Sequence, residues 1–155
     1  MLRVTKLTDY ATVVMTVLAR SADSVHSATD LALSTGLEVP TVSKILKPLA
    51  QAGLIDSYRG ANGGYRLARP AEEIDLLQIV EAIEGPVAMT ACSGHETPCD
   101  LQARCGASMN WQWVNRVLSD ALAQIQLAQM VSESAHLQQE PSRKPIPAVL
   151  QGLND

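Results

Sequence analysis

The chain has 155 residues, a formal net charge of −4 and 46% apolar residues, enough to bury one core. No run approaches the roughly 20 apolar residues of a membrane span. The amphipathic start lacks the apolar centre of a signal peptide, so we expect a cytoplasmic protein in which thiols stay free. The charge is uneven, because residues 1–69 carry a net +3 and the remaining residues a net −7. This asymmetry fits a DNA-binding part joined to a sensing or dimerising part.

The basic part of the chain predicts three helices. Apolar spacing indicates a first helix over residues 8–20, beginning at Thr8 or Asp9. A capping-box pattern at Ser27 opens a second, short helix that ends near Gly36. Pro40 suits the first turn of a third helix, which reaches Gly53. The apolar residues of that third helix are predicted to point inward, and they are Val42, Ile45, Leu46 and Leu49.

A β-hairpin follows the third helix. Two short strand-like segments, residues 54–59 and 65–68, flank an Asn62-Gly63 turn, which is a strong hairpin signal. The order of helix, tight connection, helix and hairpin is that of a winged helix-turn-helix. The predicted fold class is therefore mostly α with a small β wing.

The acidic part of the chain predicts two further helices around a polar loop. Asp75 and Gln78 form a second capping box, and Gly85 ends the helix that they begin. A long dimerisation helix is predicted over residues 107–131, with a heptad-like apolar seam. That seam comprises Trp111, Val114, Leu118, Ala121, Ile125 and Ala128. The predicted division is 1–84 for a winged helix-turn-helix DNA-binding domain, 85–106 for a cluster-binding loop, 107–131 for the dimerisation helix and 132–155 for a flexible tail.

Such a fold reads DNA through the third helix and the hairpin. Polar side chains at the start of the recognition helix enter the major groove, where a glutamate accepts from cytosine and a lysine meets guanine or phosphate. A wing reaches the narrow minor groove with a cation and a tight glycine turn. The predicted DNA contacts are Glu38, Thr41, Ser43, Lys44, Lys47, Arg59, Asn62 and Gly63. Solvated lysines and a plain hairpin turn are the structural alternatives.

Cys92, Cys99 and Cys105 lie within fourteen residues, and the chain has no other cysteine. An odd number cannot pair completely within one chain, and thiolates in a loop with glycine and proline suit a metal centre. Three cysteines and one further ligand complete the shell of an iron–sulfur cluster. A structural zinc site, a reversible thiol switch and buried structural cysteines are the alternatives.

Four segments together resemble the Rrf2 family of bacterial transcription regulators. They are residues 2–11, 39–46, 49–55 and the wing sequence 59–68, and the match covers roughly residues 1–131. Within the family, the chain is most similar to the regulators of the SUF iron–sulfur assembly system, with the IscR and NsrR types as relatives. The resemblance implies a homodimer joined by the long helix, with an iron–sulfur cluster held by the three cysteines.

The two types of relative differ in the fourth cluster ligand, so the resemblance implies more than one candidate. The IscR type places a histidine three residues after its last cysteine, where this chain has Ser108, a poor iron ligand. The NsrR type uses an aspartate early in the first helix, contributed by the partner subunit, and Asp9 matches that position. His95 is the rival ligand, and Asp9 also suits a helix start through the helix dipole alone. Asp9 ligation favours a [4Fe-4S] cluster, and a [2Fe-2S] cluster is the alternative.

The predicted function is therefore an iron–sulfur-sensing, DNA-binding transcriptional regulator, a repressor of iron–sulfur assembly or related stress genes. It binds a double-stranded operator as a homodimer and has no membrane partner. The alternatives are a metal-free thiol-redox transcription regulator and an iron–sulfur electron-transfer or delivery protein. Catalysis is not expected, because no nucleophile triad or carboxylate pair stands out.

Overall fold

The computed structural model describes residues 4–60, 62–90 and 108–137. Its elements in chain order are α1 (Lys6–Arg20), α2 (Ala28–Thr35), α3 (Val39–Gln51), β1 (Ile55–Tyr58), β2 (Gly64–Leu67), a short 3-10 helix (Ala71–Glu73), α4 (Leu76–Glu84), α5 (Ser108–Ala123) and α6 (Leu127–Leu137). β1 and β2 form a two-stranded antiparallel sheet. This arrangement confirms the predicted class of a mostly helical chain with a β wing.

One apolar core joins α1, α2, α3, α4 and α6 to the base of the hairpin. α1 contributes residues spaced three and four apart, namely Ala11, Val14, Met15 and Leu18. The inward face predicted for α3 is confirmed, because Val42, Ile45, Leu46 and Leu49 have no exposed surface. Each such side chain contributes about 1.5–3 kcal/mol when it is fully buried. This packing fixes α3 with its opposite face toward solvent.

α1 begins earlier than predicted. Its N-cap is Thr5, whose hydroxyl accepts a hydrogen bond from the Thr8 amide at 3.3 Å. Thr8 is buried and lies inside the first turn, so it does not cap the helix. Asp9 also lies in that turn and is exposed. Both predicted starting residues, Thr8 and Asp9, are therefore wrong, because the residue that caps is Thr5, just before the helix.

Both predicted capping boxes are present. At α2 the Ser27 hydroxyl accepts from the Asp30 amide while the Asp30 carboxylate accepts from the Ser27 amide. At α4 Asp75 and Gln78 make the same exchange. A side-chain cap of this type is typically worth about 1 kcal/mol. These local patterns fix where α2 and α4 start.

The two predicted strand segments are present, and their bounds differ from the predicted ones by one residue. Tyr58 pairs with Gly64 in register, which leaves residues 59–63 as a five-residue loop. The Gly63 amide donates to the Gly60 carbonyl at 3.0 Å, so the chain turns within this loop before the strands pair. β1 is shorter than predicted by one residue at each end, whereas β2 keeps its predicted length and begins one residue earlier.

The main chain of His26 extends the hairpin on its other edge. Its amide donates to the Tyr65 carbonyl at 2.9 Å and its carbonyl accepts from the Tyr65 amide at 2.8 Å. β2 therefore lies between β1 and the segment that precedes α2. This contact ties the wing to the helix-turn-helix.

The single helix predicted over residues 107–131 is wrong. α5 ends at Ala123, and α6 begins at Leu127 after a short break. The break exists because main-chain bonds join it to the start of α4: the Leu76 amide donates to the Ile125 carbonyl, and the Leu127 amide to the Ile74 carbonyl, both at 2.8 Å. Leu127 is fully buried in the core.

The break also revises the predicted domain division. α6 packs against α1 and the 3-10 helix, so the end of the predicted dimerisation helix belongs to the core of the winged domain. α6 continues to Leu137, so the first residues of the predicted tail are helical. Across residues 4–60, 62–90 and 108–137, no helix is long and apolar enough to cross a membrane.

Candidate DNA-reading surface and ligand region

The solvent face of α3 carries polar and basic side chains opposite its buried face. Ser43, Lys44 and Lys47 are exposed along this face, and Thr41 is half-buried beside it. Glu38 is the exposed N-cap, and its side chain makes no hydrogen bond to the helix. The structure thus brings the predicted recognition residues together on one surface, with the positive end of the helix dipole at its leading edge.

The loop of the wing holds the other predicted DNA residues. Arg59 and Asn62 are exposed, and Gly63 is half-buried. A Cβ on Gly63 would lie 2.5 Å from the Tyr58 carbonyl oxygen, closer than any side chain tolerates. Gly63 is therefore a structural requirement of the turn, whereas Arg59 and Asn62 are free to present side chains outward.

The hairpin also has a contact between a tyrosine and an arginine that was not among the predicted features. Arg66 Nη2 donates to the Tyr58 hydroxyl at 2.6 Å, and the guanidinium carbon lies 5.3 Å from the centre of the Tyr58 ring. Register places Tyr58 and Arg66 on the same face of the sheet, the one turned away from the buried Ile55 and Leu67. The alternation of side chains between the two faces of each strand is the sequence feature that could have predicted this contact.

The predicted cysteine ligands lie outside the described residues. Cys92, Cys99 and Cys105 fall there, as does His95. Among residues 4–60, 62–90 and 108–137, no three His, Cys, Asp or Glu side chains come together as a metal site. Asp9 lies within the described part of the chain. Its exposed side chain lines a surface pocket together with Val4, Thr5 and Lys6.

Glu84 ties the end of α4 to the start of α1. Its carboxylate accepts a hydrogen bond from the Thr5 amide at 2.9 Å and another from the Thr8 hydroxyl. The Thr8 hydroxyl, and after it the Thr5 amide, hold the pKa of Glu84 below its ordinary value. A lone glutamate at a helix end gives no sequence pattern that predicts this contact.

Asn115 makes a second tie, on the other side of the cysteine segment. Its side-chain amide donates to the Val87 carbonyl at 2.9 Å, and its oxygen accepts from the Met89 amide at 3.1 Å. α5 is thus attached to the chain that leaves α4. Glu84 and Asn115 together fix both described flanks of the cysteine segment to helices.

α5 exposes an apolar row that the predicted seam does not contain. Met109, Trp113 and Val117 follow at intervals of four and are 80%, 65% and 47% exposed. Within the predicted seam, Val114, Leu118 and Ala128 are half-buried, whereas Trp111, Ala121 and Ile125 are exposed. A row of large exposed apolar side chains on one helix indicates a contact surface.

Comparison with known proteins agrees with these features. The family model Rrf2, described as an iron-dependent transcriptional regulator, matches residues 4–133. Protein aau3 of Rhizobium meliloti (strain 1021) is 38% identical over 106 residues, covering 68% of this chain and 69% of that protein.

Two solved structures are similar over most of their length. T. potens IscR has a TM-score of 0.65 and 26% identity, covering 91% of this chain and 94% of that chain. CymR, the global cysteine regulator of B. subtilis, has a TM-score of 0.66 and 25% identity, covering 86% and 98%.

Proposed function

We propose that this chain, which belongs to the Rrf2 family of transcriptional regulators, adjusts its binding of operator DNA to the state of an iron–sulfur cluster. Membership makes it a winged-helix, DNA-binding regulator and not an enzyme. One observation carries the finer proposal: Glu84, at the entrance to the cysteine segment, is bonded to the first turn of α1, which also carries Asp9. A conformational change in the cysteine segment is therefore transmitted through Glu84 to the DNA-binding domain.

The DNA-binding part of the proposal rests on two exposed surfaces. The polar face of α3 enters the major groove, and the loop of the wing enters the flanking minor groove. The contacting residues are Glu38, Thr41, Ser43, Lys44, Lys47, Arg59, Asn62 and Gly63. α3 and the wing are held in fixed relation by the core and by the His26–Tyr65 pairing, which favours docking as one unit.

The cluster ligands proposed are Cys92, Cys99, Cys105 and Asp9 of the partner subunit. Three soft thiolates and one carboxylate fit the donor chemistry of an iron–sulfur cluster with one labile iron. The exposed Asp9 carboxylate has no hydrogen-bond partner among the described residues, so it is available to a second copy of the chain. A [4Fe-4S] cluster follows from this ligand set, with His95 and a [2Fe-2S] cluster as the competing assignment. Such a cluster supplies a centre that responds to iron supply, oxidants and nitric oxide.

Homodimerisation is proposed through the exposed face of α5. Met109, Trp113 and Val117 leave an apolar surface that a second α5 covers, in keeping with the closed symmetry of most soluble oligomers. The proposed ligand set also requires that the dimer bring Asp9 of one copy to the three cysteines of the other. The regulator then represses genes of iron–sulfur assembly or related stress responses from a near-palindromic operator in the cytoplasm.

Coupling needs DNA binding that differs between the two cluster states. Glu84 holds the end of α4 to Thr5 and Thr8, and Asn115 holds the following segment to α5. A rearrangement of the cysteine segment thus shifts α1 and α5 together. Since α5 sets the relation of the two copies, the spacing of the two α3 helices changes with it.

Anaerobic purification followed by native mass spectrometry tests the proposal. We expect a dimer carrying one cluster for each chain, with visible absorbance that Cys99→Ala abolishes. Asp9→Asn should leave a cluster that is lost faster in air, whereas Asp23→Asn, at an exposed position after α1, should behave as the unaltered protein. A colourless protein without iron or sulfide under these conditions would refute the cluster.

The likeness to CymR favours a second candidate, a regulator that senses thiol oxidation without a metal. Its cysteines would form a reversible disulfide or sulfenic acid. This candidate predicts a colourless protein whose DNA affinity changes on mild oxidation and returns with a thiol reductant. Anaerobic purification separates the two candidates, because only the first gives iron and sulfide.

A further inference from the structure

The exposed face of the wing carries a cation that is held in place before any ligand arrives. Arg66 donates through Nη2 to the Tyr58 hydroxyl and lies over the Tyr58 ring. Tyr58 is 40% exposed, so the pair stands at the surface. A guanidinium has five N–H donors, and Tyr58 takes one of them. The remaining donors suit an anion that accepts two parallel hydrogen bonds, as phosphate does.

The direction of Arg66 is informative. Its cross-strand neighbour in register is Asp56, an acidic residue on the same face of the hairpin. Nevertheless, Arg66 bonds to Tyr58, which lies two residues nearer the tip of the wing. Among the described residues, no ion pair joins Arg66 to Asp56. The guanidinium is therefore turned toward the wing loop, where Arg59 directly follows Tyr58.

We infer that the Tyr58–Arg66 pair is a phosphate-binding site of the wing, which grips the DNA backbone beside the groove that Arg59 enters. This inference rests on the proposed DNA binding and adds a contact to it. Tyr58 orients the guanidinium, and Arg66 makes a two-point contact to one phosphate of the duplex. The contact is independent of base sequence and fixes the depth and angle of the wing.

The salt dependence of DNA binding tests the inference in the full-length protein. The probe is a labelled duplex selected by the unaltered protein from random-sequence DNA, titrated between about 50 and 200 mM salt. Each lost phosphate contact lowers the slope of log K against log salt by about 0.9. We expect Arg66→Ala to lower the slope by about 2 in a symmetric dimer, and Arg66→Lys to keep the slope but bind severalfold more weakly.

Two further variants complete the test. Tyr58→Phe keeps the ring and the charge but removes the hydroxyl, so we expect weaker binding with an unchanged slope. Arg69→Ala removes the same charge from the groove between the hairpin and α4, where Arg69 faces Gln78, and should leave the slope unaltered. If the pair only stabilised the hairpin, thermal stability would fall in Arg66→Ala while the slope stayed the same.

The outcomes separate this inference from the function on which it rests. An unchanged slope for Arg66→Ala beside a lowered slope for Arg59→Ala would overturn the phosphate site and leave DNA binding intact. Absence of any salt-dependent binding by the unaltered protein would overturn both. Should Arg66→Ala fail to fold, unaltered affinity in both Arg66→Lys and Tyr58→Phe would overturn the inference.

Discussion

The carboxylate of Glu84, the last residue of α4, accepts a hydrogen bond from the hydroxyl of Thr8, which is buried in the first turn of α1. The two residues are 76 positions apart in sequence. The same carboxylate accepts from the Thr5 amide, so it also fixes the cap of α1. The end of α4 is thereby bonded to the start of α1, at the place where the chain enters the cysteine segment.

The hydrogen bonds of Glu84 predict that the folded state becomes less stable in acid. The pKa of Glu84 lies below its usual 4.5 because the Thr8 hydroxyl, and then the Thr5 amide, donate to the charged form. A carboxylate with a lower pKa in the folded state stabilises that state above its unfolded pKa, and the stabilisation is lost as pH falls through the folded value. We expect Glu84→Gln to lower the melting temperature near pH 7, with the difference disappearing as the pH falls through the lowered pKa of Glu84.

The matched control is Glu81→Gln, on the exposed side of the same helix. Its melting curve should follow that of the unaltered protein across the same pH range. A difference between Glu84→Gln and the unaltered protein that stays constant as the protein is acidified would show that the carboxylate charge is not involved.

The attachment of the wing gives a second prediction. A Cβ on Gly64 would collide with the main chain of His26, whose carbonyl accepts from the Tyr65 amide. We expect Gly64→Ala to separate this pairing and lower the free energy of unfolding by about 1–3 kcal/mol, measured in urea. Exchange of the Tyr65 amide should become faster as well.

Gly36→Ala is the control for that experiment, because it distinguishes steric crowding by the added Cβ from backbone strain. Gly36 has φ of 72° with open space around it, so its substitution adds only the conformational penalty of about 1 kcal/mol. Amide exchange at Tyr65 should not change in this variant. Equal exchange rates in the two variants would contradict a close approach of the wing to His26.

Local patterns were enough to predict which face of α3 is buried and which is exposed. α3 carries four apolar residues spaced for one face, so its buried side and hence its exposed polar side followed from periodicity. The boxes at Ser27 and Asp75 specified helix starts, because each involves residues only three positions apart. The order of these elements then indicated the winged fold.

Contacts between distant residues could not be predicted in this way. The seam of apolar residues continues through Ile125, so periodicity gave no reason to end α5 at Ala123. The break depends on main-chain pairing of Gln126 with Asp75, which is visible only after α4 and α6 are placed. The Glu84–Thr8 bond is of the same kind.

The break leads to a third prediction, on Leu127. This side chain has no exposed surface and packs in the core of the winged domain, whereas Ile125 is 39% exposed. We expect Leu127→Ala to lower the free energy of unfolding by about 2–5 kcal/mol, because it leaves a cavity. Ile125→Ala should have a much smaller effect in the same urea titration.

The two arrangements differ in whether the loss of unfolding free energy depends on protein concentration. If residues 107–131 formed one dimerisation helix, Ile125 would lie in the predicted seam, so Ile125→Ala would act mainly by weakening the dimer, and its effect would shrink at high concentration. With Leu127 in the core, the loss from Leu127→Ala is the same at every concentration.

The exposed row on α5 gives the fourth prediction. Trp113 lies between Met109 and Val117 and is 65% exposed in a single chain, so a second copy has a large apolar side chain to cover. Trp113→Glu places an unpaired charge in that contact, and we expect the dimer to weaken at least tenfold, about 1.4 kcal/mol, in sedimentation analysis. Gln112→Glu adds the same charge to an exposed position of α5 off the row and should leave the dimer intact. Equal weakening by both variants would mean that added charge, and not the row, controls assembly.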